Sequence, residues 1–119
     1  MSALVAYDEE LADRIRELIG AEADLVERRM FGGLAFLVGG NMAVAASAEG
    51  GIMVRVDPAH SDTLIESGRA RRVQMRGRSM RGWLRVPPEG LRSERDLAGW
   101  VGRGLAYARS LPLKKNLTP

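Results

Sequence analysis

LAFLVGGNMAVAASAEGGIMVRVD, residues 34–57, is the stretch that decides the fold. Two apolar runs, 34–38 and 42–46, are joined through Gly39-Gly40-Asn41, a glycine-rich link that tolerates the positive φ of a tight hairpin. Ser47-Ala48-Glu49-Gly50-Gly51 supplies the next turn. IMVRVD, residues 52–57, then alternates and puts Ile52, Val54 and Val56 on one face. The stretch therefore predicts successive antiparallel strands. Its glycines also interrupt the longest apolar run, which falls short of the ~20 residues a membrane span requires.

Working outward, Asp24–Met30 reads as a preceding strand that ends at the FGG of 31–33. Before it, residues 8–19 predict a helix. Asp8 is suited to cap it, Glu9 and Glu10 to its first turn, and Leu11, Ile15, Leu18 and Ile19 share one side, with Gly20 as the stop. Downstream, Asp57-Pro58 opens a second helix to about Ser67, with Leu64 and Ile65 facing inward and Gly68 ending it. Two strands follow at about 71–76 and 82–87, with 77–81 expected as a loop. A last helix begins at Ser93, with Leu97, Trp100, Val101, Gly104, Leu105, Ala108 and Leu111 as its apolar stripe. The order is helix, three or four strands, helix, two strands, helix. It predicts an α+β domain: two layers, an antiparallel sheet with helices on one face.

Composition narrows the function classes. At 119 residues the chain holds a single domain, and with no cysteine it can form neither disulfides nor thiolate metal sites. The N-terminus has no cation before its short apolar run, so it does not read as a secretory signal, and a cytoplasmic location is expected. The net charge of +3 conceals an asymmetry. Residues 1–60 hold ten acids and five arginines, whereas residues 61–119 hold five acids and thirteen Lys and Arg. Such a division points to an anionic partner or surface.

Met30-Phe31-Gly32-Gly33, GGNM at 39–42, VRVD at 54–57, GRSMRG at 77–82 and the closing helix around Leu97 and Trp100 together resemble the TfoX/Sxy N-terminal domain family over about residues 8–111. The resemblance implies a two-layer α/β fold like that of secretion chaperones. It also implies a regulatory role, since members control natural competence with a cyclic-AMP-receptor-type activator at promoters. Those regulators carry a second domain of helix–hairpin–helix character. The 119 residues end without one, so a stand-alone domain is expected over 1–111 with a mobile tail over 112–119, and the competence role does not carry over intact. The resemblance transfers no catalytic residue.

The candidate sites follow from residue type and spacing. GGLAFLVGG has the wrong spacing for a dinucleotide loop and lies among hairpins. His60 is the one histidine, and on a helix it falls away from Asp62 and Glu66, so neither a metal nor an acid–base site assembles there. No serine has a histidine at triad spacing. The reading is thus non-enzymatic, with no cofactor and no metal. The methionines at 30, 42, 53, 75 and 80 suit either an adaptable partner surface or core filling, the latter favoured for Met30 and Met75.

The stretch RARRVQMRGRSMRGWLR, 69–85, carries seven arginines and no acid. With Val73 and Met75 pointing inward alongside Leu84 and Val86, alternation places Arg72, Gln74 and Arg76 on the face of Trp83 and Arg85, extended at the tip by Arg78 and Arg81. Such a face fits three uses: a solvated surface whose arginines stack on Trp83, a face covered by a partner or second subunit, or a phosphate-binding surface. The expectation is a domain that works through a protein partner and forms a homodimer, without membrane attachment. Direct nucleic-acid binding through 72–85 is the rival, with Arg72, Arg76, Arg78, Arg81, Trp83 and Arg85 as site residues in either case.

Overall fold

The computed structural model describes residues 7–20, 24–30, 32–75 and 77–113, with Met75, Arg78 and Ser79 as backbone alone. The elements follow the expected order. Helix α1 (Glu9–Ile19) is capped by the Asp8 carboxylate, which accepts from the Leu11 N–H at 3.1 Å, and it buries Leu11, Ala12, Ile15 and Ile19. Strands β1 (Leu25–Met30), β2 (Gly33–Val38), β3 (Asn41–Ala46) and β4 (Ile52–Arg55) come next, then α2 (Pro58–Glu66), β5 (Arg71–Met75), β6 (Arg78–Val86) and α3 (Glu94–Ser110). A 3-10 turn at Pro88–Leu91 joins β6 to α3. Asp57 caps α2 through the Ala59 N–H, and Ser93 caps α3 through the Asp96 N–H.

The six strands form one antiparallel sheet in the order β1-β2-β3-β4-β6-β5. The fold is α+β, as expected. The β2–β3 hairpin closes through Gly39 and Gly40, both at positive φ, with Val38 opposite Asn41. The main core lies between the sheet and the helices. Phe36, Val44, Ile52, Val54, Leu84 and Val86 meet Leu11 and Ile15 of α1 and Leu97, Trp100 and Val101 of α3 there. Helix α3 approaches the sheet closely because residue 104 is glycine: a Cβ at that position would sit 2.4 Å from the Ala43 carbonyl oxygen. Ala43 is the extra residue of a bulge, since Phe36 pairs with Val44 and Leu37 with Met42.

The opposite face of the sheet is also largely buried. Ala35, Leu37, Met42, Ala45, Met53 and Val73 are buried in a second cluster, with Met30, Met80 and Trp83 packed against it. No helix residue belongs to this cluster among the described residues. The sheet closes the face by curling. In a flat sheet the outer strands β1 and β5, five intervals apart, would stand about 24 Å from each other. Instead Met30 of β1 and Gln74 of β5 line the same cavity of about 140 Å³ with Ala45 and Met53. Methionine, unbranched and adaptable, fills the irregular space inside such a bend.

Two local expectations need correction. Residues 78–81 are not loop but the start of β6, with Arg78 paired to Met75. Val73 does not join Leu84 and Val86 in the helix-side core. It lies in the second cluster on the other face. The inward placement of Met75 and the final residues 114–119 of the expected tail fall outside what the structure describes.

Candidate functional site

The arginine-rich hairpin is split by one irregularity. Arg72 pairs with Leu84, but the next residue, Val73, pairs with Met80, so Arg81, Gly82 and Trp83 have no counterpart on β5. Gly82 adopts φ +84°, which glycine takes without strain, and its carbonyl accepts from the Val56 N–H at 2.8 Å. The inserted residues reverse the alternation of β6. Met80 and Trp83 therefore lie on the second-cluster side, while Leu84 faces the helices.

That reversal overturns the expected arrangement of the arginines. Arg72, opposite Leu84, lies on the helix side, where its Nη2 donates to Asp62 Oδ1 of α2 at 2.7 Å. It does not share a face with Trp83. The residue paired with Arg85 is Arg71, which is exposed. Arg85 itself turns to the β3–β4 turn, donating to Ser47 Oγ at 2.9 Å and meeting Glu49 Oε1 at 3.4 Å. Arg81 is exposed near the bulge. Arg76 lies outside the described residues, as does the side chain of Arg78.

Trp83 is half-buried and does stack on a guanidinium, but on that of Arg55 from β4. The Arg55 Cζ sits 5.1 Å from the Trp83 ring centroid and 5.5 Å from that of Tyr107 on α3. Sequence reasoning missed Arg55. The alternation of IMVRVD already turned it away from the helix-side core, but nothing local indicates that β4 pairs with β6 and sets Arg55 opposite Trp83. Trp100 sits where expected, buried in the main core, with Arg103 stacked on it at 4.8 Å.

His60 is exposed, as expected, yet it lines a groove of about 490 Å³ between α2 and α3. Among the described residues no group of three or more His, Cys, Asp or Glu side chains is placed to hold a metal ion. Among them, too, no helix is long and apolar enough to cross a membrane. A two-pronged ion pair joins α1 to β1. Arg16 Nε and Nη2 donate to the two Glu27 oxygens at 2.7 and 2.9 Å. These hydrogen bonds hold the Glu27 carboxyl below its ordinary range and raise Arg16 above its own.

With this geometry in hand, residues 17–108 match the TfoX N-terminal domain family. The chain belongs to that family. No curated protein and no solved structure gives a significant match. The family match runs from the last turn of α1 to the last turn of α3, so both the bulged hairpin and the α2–α3 groove are parts of this TfoX N-terminal domain.

Proposed function

We propose that this TfoX N-terminal domain is a cytoplasmic, non-enzymatic regulatory module that acts by binding a partner protein. Family membership supports the regulatory part. The observation that carries the choice of a protein partner is the division of the arginines. A phosphate track needs its cations aligned on one surface. Here Arg72 is held by Asp62 on one side of the sheet and Arg85 by Ser47 and Glu49 on the other. The homodimer expected from the sequence stays within this reading.

Affinity capture from the source cell, with and without nuclease, tests it. A protein partner should be retained after nuclease treatment. Fluorescence anisotropy with single- and double-stranded oligonucleotides should detect little binding at physiological salt. Capture that vanishes with nuclease, together with a log–log salt slope of about −0.9 per phosphate contact on duplex DNA, would transfer the function to nucleic acid. Sedimentation equilibrium checks the dimer.

A further inference from the structure

Helix α2 rests on β6 and α3 on β3 and β4, and the space between the two helices is left open. It is an elongated groove in two adjoining stretches of about 490 and 410 Å³, with Leu64 and Arg103 common to both. The helices flank it in opposite directions: Asp57 and Tyr107 lie in the first stretch, Ser67 and Arg95 in the second. From Arg95 to Ser110 it follows α3 for roughly 22 Å at 1.5 Å per residue. A compact metabolite would fill only a fraction of that length.

The chemistry differs along the groove. The first stretch is largely apolar, formed by Val56, Leu64, Ala106 and Tyr107, with Asp57, His60 and Thr63 as polar members on the α2 side. The second is cationic, with Arg69, Arg95 and Arg103 against the single carboxylate of Asp96. Arg103, which lines both stretches, is held over Trp100 by ring stacking, and Arg55, not itself a lining residue, is held over Tyr107 in the same way. Neither guanidinium has a carboxylate partner among the described residues. Stacking fixes their orientation while leaving their N–H donors unspent, which suits recognition of an incoming carboxylate.

We propose that this groove binds an acidic amphipathic helix of the partner protein, with aliphatic side chains on Leu64, Ala106 and Tyr107 and carboxylates on Arg103 and Arg95. The helical form follows from the walls. Both are helices whose backbone groups are already bonded, so an extended segment would find no ladder to join, whereas a helix satisfies its own backbone. The acidic character follows from the excess of arginine. A second copy of this chain fits less well. Its acidic helix, α1, buries Leu11, Ile15 and Ile19 in its own core and has no aliphatic stripe left to offer.

This assignment rests on the protein-partner reading, and its test separates the two. A displayed library of random 16-residue peptides is panned against the folded full chain. Enriched sequences should carry aliphatic residues at helical spacing with flanking Asp or Glu. Ala106→Glu, at an exposed position, should weaken their binding at least about tenfold by setting a carboxylate against the ligand's aliphatic side chains, and Arg103→Gln by about fivefold. Both variants should keep the wild-type circular dichroism spectrum and the same sedimentation behaviour. No enrichment, enriched peptides without acids, or peptides indifferent to Ala106→Glu would overturn the proposal. So would self-association lost in Ala106→Glu, which would place a second copy in the groove. A captured partner that binds Ala106→Glu as well as wild type would overturn the groove assignment and leave the partner reading standing.

Discussion

On the helix side of the sheet, Phe36, Ile52 and Leu84 are sealed by side chains of α1 and α3, whereas on the other side Leu37, Met42, Met53 and Val73 are sealed by the bending of the sheet itself. The first closure is assembled from amphipathic elements, each carrying its own apolar stripe. The second depends on backbone irregularities: the bulge at Ala43 and the insertion at Arg81–Trp83. Both faces are buried, but they respond to different kinds of damage. The helix side is vulnerable to loss of side-chain volume. The curled side is vulnerable also to any residue that cannot follow the bend.

The largest effect is expected from Trp100→Ala. The ring is only 4% exposed, and its removal should cost ~3–5 kcal/mol in urea unfolding, provided the helix layer does not collapse into the gap. A cost below ~1 kcal/mol, the ordinary level for a point mutant, would show that the helix side is not the main closure. Met53→Ala probes the second cluster. It should cost ~2–3 kcal/mol, toward the low end for buried methionine because a flexible neighbourhood of other methionines relaxes around it. A near-neutral result would mean that the curled face is wet.

Gly82→Ala and Gly68→Ala form a matched pair that tests the bend. Both glycines have positive φ, +84° and +82°, so each alanine carries the same backbone strain of roughly 1–2 kcal/mol. At Gly68 a Cβ meets nothing within 4 Å, while at Gly82 it comes to 3.0 Å from the Val56 carbonyl oxygen and 3.1 Å from Pro58 Cγ. Gly82→Ala should therefore be the more destabilising by thermal unfolding. Equal losses would remove the insertion from its assigned place against Val56.

The smallest effect belongs to the Arg16–Glu27 pair that ties α1 to the edge strand β1. Its side chains are 41% and 32% exposed, so solvent screening limits Glu27→Gln to ~0.2–1 kcal/mol. The sign with pH is definite. Glu27 titrates lower in the folded chain than in the unfolded one, so the pair stabilises above the ordinary carboxylate range. That contribution is lost as pH falls through the lowered value. Wild type and Glu27→Gln should converge in acid and separate toward neutrality, and a gap that widens in acid would contradict the pairing.

Much of the helix side was legible because its signals are local. Asp8, Asp57 and Ser93 cap helices within three residues of themselves, and the stripe through Leu97, Trp100 and Leu105 repeats at helical spacing. The second face also left a trace. GLAFLV and NMAVAA are apolar at nearly every position, the pattern of strands buried on both sides, and every residue of both is buried. The candidate site was less legible. Trp83 does stack on a guanidinium, but on that of Arg55 from β4, which lies outside the arginine-rich stretch expected to surround it. Simple alternation through 71–86 assumes an uninterrupted strand, and the insertion at Arg81–Trp83 breaks it.

The sequence by itself determined the element order, the caps, the helix-side core and the family. Each rests on residue type and on spacings of a few positions, where backbone preference and periodicity act directly. Only the tertiary structure decided that β4 pairs with β6, that the sheet curls, that Arg72 and Arg85 part to opposite faces, and that α2 and α3 stand apart around a groove. These features come from contacts between residues distant in the chain. Three inserted residues, turning at a glycine of positive φ, shift the phase of every side chain beyond them, and the spacing of two helices is set by the sheet beneath them rather than by either helix alone.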